Sequence, residues 1–218
     1  MTLAPCHADA RQYVPTAWLR PGALIIDLRQ PRRVVSSAPF GGGLGWKQYL
    51  VNYTVPLDFH EDVDTTVCAV LARHALDVST TTCALTAVDV RKFRYAEVRE
   101  DDVCASVYLT AGLGNLAAPG LTPLAGHAPG TINVFALIAA TLPDAALFET
   151  VQIITEAKAR RLSGRLTRDG HPATGTSTDT VTVALLPGPA QRYAGAVTPV
   201  GRALARATDT ALTQALAP

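Results

Sequence analysis

The sequence lacks strong net charge, a long apolar run and most of the short motifs that mark common enzyme chemistries. Its formal net charge is +1, from 19 Lys and Arg against 18 Asp and Glu. The basic residues are scattered, which removes the field that nucleic acid or an anionic membrane surface would need. The longest apolar stretch, Val134–Ala140, is far short of the roughly 20 residues of a bilayer-spanning helix. Met1–Thr16 has no basic region followed by an apolar run, so no secretory signal is expected and a cytoplasmic location is. The four cysteines, Cys6, Cys68, Cys83 and Cys104, form no CxxC pair and stand at no zinc-finger spacing with histidine. They read as reduced, buried small hydrophobes. His7, His60, His74, His127 and His171 form no HExxH, so no protein metal is expected. GxSxG is absent, and no GxGxxG follows a first strand. Gly41–Lys47 (GGGLGWK) fails as a phosphate loop, because Trp46 separates the last glycine from Lys47 and Gln48 stands where a hydroxyl is required.

What is present is a large apolar fraction, 48% of 218 residues, enough for one compact core. Ala23–Leu28, Arg33–Ser37, Leu50–Val55, Cys83–Val88, Val103–Thr110, Ile132–Ala140 and Thr180–Leu186 read as strands. Residues 62–75 read as a helix with Asp62 or Asp64 as cap, and Pro143–Leu162 as a second. A third begins with Thr198 as cap and Pro199 as first helical residue, its stripe made by Val200, Leu204, Ala207 and Ala211. Interleaved strands and helices predict an α/β or α+β protein: a single layered domain over 21–218, a mixed β-sheet with packed helices, after a short, partly ordered lead-in over 1–20. The Pro/Gly-rich stretch 117–130 is the only plausible linker, and glycine motifs on both sides of it argue against a domain break.

Glycines gather at four strand ends: Gly41–Gly43, Gly112–Asn115, Gly126–Asn133 and Ala173–Asp179 (ATGTSTD). Backbone can approach a ligand at such places because no Cβ intrudes. ATGTSTD packs three threonines, a serine and an aspartate around Gly175. It reads equally as a turn-and-cap cluster or as a site whose hydroxyls and N–H groups hold an oxyanion. On the second helix, Leu147, Val151, Ile154 and Leu162 share a stripe, and Lys158 falls on it. A lysine there must snorkel, pair with a carboxylate or serve a site, and Asp179 is the natural partner.

The segments Ser36-Ser37-Ala38 with Gly41–Gly43, Leu50–Asn52, Leu85–Ala87, Thr110–Asn115, Gly130–Asn133, Thr155–Lys158, Ala173–Asp179, and Arg192–Gly195 with Gly201-Arg202 occur in an order that resembles the adenosylcobinamide amidohydrolase family. The resemblance runs from about residue 23 to residue 210. It implies a single α/β-type domain and hydrolysis of the amide joining the aminopropanol arm of adenosylcobinamide to the corrin ring. The products would be adenosylcobyric acid and 1-aminopropan-2-ol, a step of corrinoid salvage for cobalamin biosynthesis. It implies a small-molecule corrinoid partner and no cofactor, because the cobalt belongs to the substrate. Self-association is left open. Asp169-x-His171 matches the start of the DxHxxG pattern of cobalt ligation, but Thr174 stands where its glycine should, and the match is set aside as coincidence.

Amide hydrolysis needs a nucleophile, a carbonyl polariser and a proton for the leaving amine. The expected catalytic residues are Asp179, as base for an attacking water, Lys158, as polariser or proton donor, and Asn133, which with Asn115 and the N–H groups near Gly175 would hold the oxyanion. Ser36, Ser37, Gly42, Asn52, Gly112, Asn115, Thr131, Glu156, Thr174, Gly175, Thr176 and Thr178 are the expected substrate-binding positions. A covalent route through Thr176, Ser177 or Ser37 is the alternative mechanism. The alternative functions are a non-catalytic corrinoid-binding module and an amidase for another large amide.

Overall fold

A computed structural model of the chain describes residues 15–124 and 130–217. Cys6, His7, His127 and 126–129 of the third glycine cluster lie outside the described residues.

Among the described residues, ten strands and three α-helices follow one another as β1 (Thr16–Arg20), β2 (Ala23–Ser36), β3 (Gly43–Thr54), α1 (Val63–Arg73), β4 (Thr81–Thr86), β5 (Arg94–Glu100), β6 (Val103–Ala111), β7 (Leu116–Ala117), β8 (Ile132–Thr141), α2 (Asp144–Leu162), β9 (Gly175–Thr176), β10 (Thr180–Ala190) and α3 (Pro199–Leu216). The main sheet runs β4-β3-β2-β10-β8-β6-β5, with β1 paired to β2; β7 and β9 form a separate two-stranded ladder. The pairings β10–β8 and β3–β4 are parallel and the rest of this sheet antiparallel. The architecture is therefore a single mixed-sheet α+β domain.

Alternation along each strand sorts the core into faces. Val134, Ala136 and Ile138 of β8 and Val181 and Val183 of β10 pack under α2 and α3. Phe135, Leu137 and Ala184 point the other way, onto Leu24, Ile26, Leu50 and Ala84. On the outer side of the β2–β3 end, Val67 and Leu71 of α1 cover Ala23, Ile25, Val51 and Cys83. Asp62 caps α1, accepting from Thr65 N at 2.8 Å. Thr198 caps α3, accepting from Gly201 N at 3.1 Å.

The sheet is bent rather than flat. The β2–β3 register slips between Asp27 and Arg32. There Arg29 adopts a φ of 69° and its N–H donates to Asp27 Oδ1 at 2.7 Å. A bulge of this kind bends the strand that carries it. The bend brings β3 and β4 over the inner face, so that side chains of strands that are not sheet neighbours meet: Asn52 with Asn133 and Thr110, and Thr82 with Ser36.

Several elements differ from the sequence expectation. Residues 16–20 are a strand, not lead-in, and Arg94–Glu100 is an unanticipated edge strand. Ala23–Leu28 and Arg33–Ser37 are parts of one strand interrupted by the bulge, and β3 begins at Gly43 rather than Leu50. Cys83 and Cys104 are buried, whereas Cys68 is exposed on α1. Among the described residues, no helix is long and apolar enough to cross a membrane.

Candidate active site

The loop 173–179 leads into β10, and α2 runs beside it. Lys158, deep in the buried stripe of α2, is paired there with Asp179. Their side chains are 8% and 9% exposed, so neither charge is left to bulk water. Asp179 Oδ2 accepts from Lys158 Nζ and from Thr176 N at 3.0 Å. Its Oδ1 accepts from Ile132 N at 2.9 Å and from the Thr176 hydroxyl. Four donors fill the roughly four lone-pair positions of a carboxylate. The packing explains the glycine before it: a Cβ at Gly175 would lie 2.3 Å from Asp179 Oδ2 and 3.0 Å from Lys158 Nζ.

The pair forms the floor of a cleft of about 390 Å³, bounded by the loop 117–124, by Thr155 and Lys158 of α2, and by residues 174–179. Around it the glycine loops interlock. β7 and β9 pair through Leu116↔Thr176 and Ala117↔Gly175. Asn115 Nδ2 donates to Ser177 Oγ at 2.6 Å, the Thr131 and Thr178 hydroxyls bond each other, and Thr178 Oγ1 donates to Gly130 O at 3.0 Å. Gly112 N donates to Thr131 O at 2.9 Å.

Thus Lys158, Asp179, Thr174, Gly175 and Thr176 line the cleft, while Gly112, Asn115, Thr131 and Thr178 brace its loops from behind. Asn133 and Asn52 are elsewhere. Both are buried within the bent sheet. Asn133 Nδ2 donates to Asn52 Oδ1 at 2.8 Å and to Leu85 O at 2.9 Å, and its Oδ1 accepts from Thr180 Oγ1 at 2.9 Å. Both amide hydrogens are used, leaving none for an oxyanion. Asn52 Nδ2 continues the chain to Thr110 Oγ1 at 2.9 Å. Ser36 belongs to a second buried cluster, with Thr182 Oγ1 at 2.7 Å and Thr82 Oγ1 at 3.1 Å. Ser37 Oγ accepts from Val181 N at 2.9 Å, and Gly42 packs against Ala38 O in the β2–β3 turn. Glu156 is on the exposed face of α2. Thr155 is the position that the residue-level reading missed. Its spacing of three from Lys158 puts the two on one helical face, a signal that could have found it. Among the described residues, no group of three or more His, Cys, Asp or Glu is placed to hold a metal ion.

The fold and the cleft define an α+β protein with a buried ammonium–carboxylate pair and hydroxyls facing one pocket, the groups that acyl-transfer chemistry uses. The chain belongs to the adenosylcobinamide amidohydrolase family, whose model matches residues 8–218. It is 42% identical over 106 residues to an adenosylcobinamide amidohydrolase of Halobacterium salinarum. That match covers 45% of this chain and 44% of the relative, less than half the length of each. In fold it is similar to the PH0078 protein from Pyrococcus horikoshii OT3, at a TM-score of 0.50 and 12% identity, over 99% of this chain and 82% of that one.

Proposed function

We propose that the protein hydrolyses the amide between the aminopropanol arm of adenosylcobinamide and the corrin ring, releasing adenosylcobyric acid and 1-aminopropan-2-ol in corrinoid salvage. The observation that carries this reading is the Lys158–Asp179 pair at the floor of a hydroxyl-lined cleft. An amide carbonyl that reaches the floor meets an ammonium able to polarise its oxygen or protonate the departing nitrogen. Asp179 holds that ammonium in place. A cleft of about 390 Å³ takes the aminopropanol arm but not a corrin macrocycle. The macrocycle then rests at the mouth, where the fully exposed Leu124 offers apolar surface. The cobalt is part of the substrate. Free thiols at Cys68 and Cys83 support a reducing compartment, and we place the reaction in the cytoplasm.

Incubation with adenosylcobinamide tests the reading, with both products quantified by mass spectrometry. Equimolar cobyric acid and aminopropanol are expected. Tight binding without product would instead make the protein a corrinoid-binding module. Absence of both would leave an amidase for a different large amide.

A further inference from the structure

We propose that Thr176 is the nucleophile, and that turnover passes through an ester between its Oγ1 and the cobyric acyl group. This deepens the amide-hydrolase reading and rests on it. A covalent nucleophile needs a base within hydrogen-bond reach and a third group that orients the base. Thr176 Oγ1 donates to Asp179 Oδ1, and Lys158 Nζ holds the other carboxylate oxygen. The N–H groups of Ile132 and Thr176 fix the carboxylate from both sides, at 2.9 and 3.0 Å. Thr176 is half-buried on the cleft wall. Three neighbouring hydroxyls lack this arrangement. Ser177 is exposed and bonded to the Asn115 amide, Thr178 is tied to Thr131 and Gly130 O, and Ser37 is bonded to Val181. An attacking water on Asp179 would have to displace one of its four donors, and the donor already facing the cleft as a nucleophile is the Thr176 hydroxyl.

The bond changes balance without a further reactant. Thr176 Oγ1 attacks the amide carbon as its proton passes to Asp179. The C–N bond breaks as Lys158 protonates the nitrogen, and aminopropanol leaves. Asp179 then returns its proton to Lys158. Water attacks the ester, the C–Oγ1 bond breaks, and the proton lost by the water reaches Thr176 through Asp179. The sum is amide plus water giving acid plus amine.

The test supplies adenosylcobinamide with and without hydroxylamine to the wild type, Thr176→Ser and Thr176→Val, with folding checked by circular dichroism. The wild type is expected to yield a corrinoid hydroxamate beside the acid. Acid-quenched Thr176→Ser is expected to carry the acyl mass on the peptide holding residue 176. Thr176→Val should lose at least about a thousandfold in turnover, and Thr176→Ser should keep turnover within about a hundredfold of wild type. If Thr176→Val fails to fold, the hydroxamate and the adduct decide. Release of aminopropanol with neither hydroxamate nor adduct, or turnover by folded Thr176→Val within about tenfold of wild type, overturns the nucleophile and leaves the hydrolase reading standing. No release of aminopropanol by the wild type overturns both.

Discussion

Replacing Lys158 by Met, and separately Asp179 by Asn, measures what the buried pair contributes and which partner is the hub. Lys158→Met removes the ammonium but keeps the side-chain length. It leaves a 9% exposed carboxylate that still accepts from Ile132 N and twice from Thr176. Stranding one partner of a buried pair costs about 3–5 kcal/mol, and three surviving donors put this case near the lower end, about 3 kcal/mol. For a chain of 218 residues that is a fall in Tm of roughly 6–12 °C, at about 2–4 °C per kcal/mol. Asp179→Asn does more damage. It strands the Lys158 ammonium and turns one acceptor into an NH2. On the Oδ2 side that NH2 meets Lys158 Nζ and Thr176 N; on the Oδ1 side it meets Ile132 N. At least one further buried donor loses its partner, adding about 1–3 kcal/mol. The total, about 4 kcal/mol or more, lowers Tm by at least roughly 8 °C. Urea and thermal unfolding at pH 7, followed by circular dichroism, read both values. A Lys158→Met protein within about 0.5 kcal/mol of wild type, or one less stable than Asp179→Asn, would refute the account of Asp179 as the group around which the loop is built.

Three further outcomes follow from other parts of the molecule. Burial, with Arg73 and Arg20 nearby, holds the His74 imidazole below its ordinary value of 6.5. The unfolded chain therefore takes up a proton that the folded chain refuses, so stability is full above pH 6.5 and falls as pH drops below it. His74→Asn should flatten that fall, as seen in urea midpoints between pH 7 and pH 5; an unchanged slope would remove His74 from the account. Burial also pushes the Cys83 thiol up, while Cys68 is exposed; iodoacetamide on the native protein should label Cys68 and spare Cys83 until the chain unfolds. Asn133→Ala strips partners from Asn52, Leu85 O and Thr180, and should cost about 2–4 kcal/mol in urea unfolding, with turnover per folded molecule kept within a few-fold; a stable variant with turnover down a hundredfold or more would restore the oxyanion role to Asn133.

Legibility of the fold followed burial. β8 and the first half of β10 are buried on both faces; from Val134 β8 reads as a continuous apolar run, and β10 opens with alternating Thr and Val. β5 is an edge strand whose one buried residue is Ala96, and β1 is an edge strand with none. Their polar, irregular patterns carry little period-two signal. Gln30-Pro31-Arg32 splits β2 in the sequence because proline breaks a strand pattern. In the structure Pro31 falls where the register slips, so the break marks a bulge and not an end. The bend at that bulge is what carries β3 across to β8, and no local pattern encodes a contact between residues 81 positions apart.

The same distance rule separates the site residues that were legible from those that were not. Lys158 could be singled out because a charge within an apolar stripe is locally anomalous. Asn133 and Asn52 looked like pocket groups because a buried amide satisfied by partners far along the chain resembles, in sequence, an amide waiting for a ligand. ATGTSTD seemed to require a choice between a turn cluster and a site. In the structure the segment is a turn cluster that also borders the cleft. The bonds from Thr176 N and Thr176 Oγ1 to Asp179 close a three-residue turn, and they also take up half of the carboxylate's acceptor positions. With Ile132 N and Lys158 occupying the other half, Asp179 has no lone pair left over for a free water. On the proposed mechanism, the turn is what sets Asp179 to activate Thr176 instead of a water.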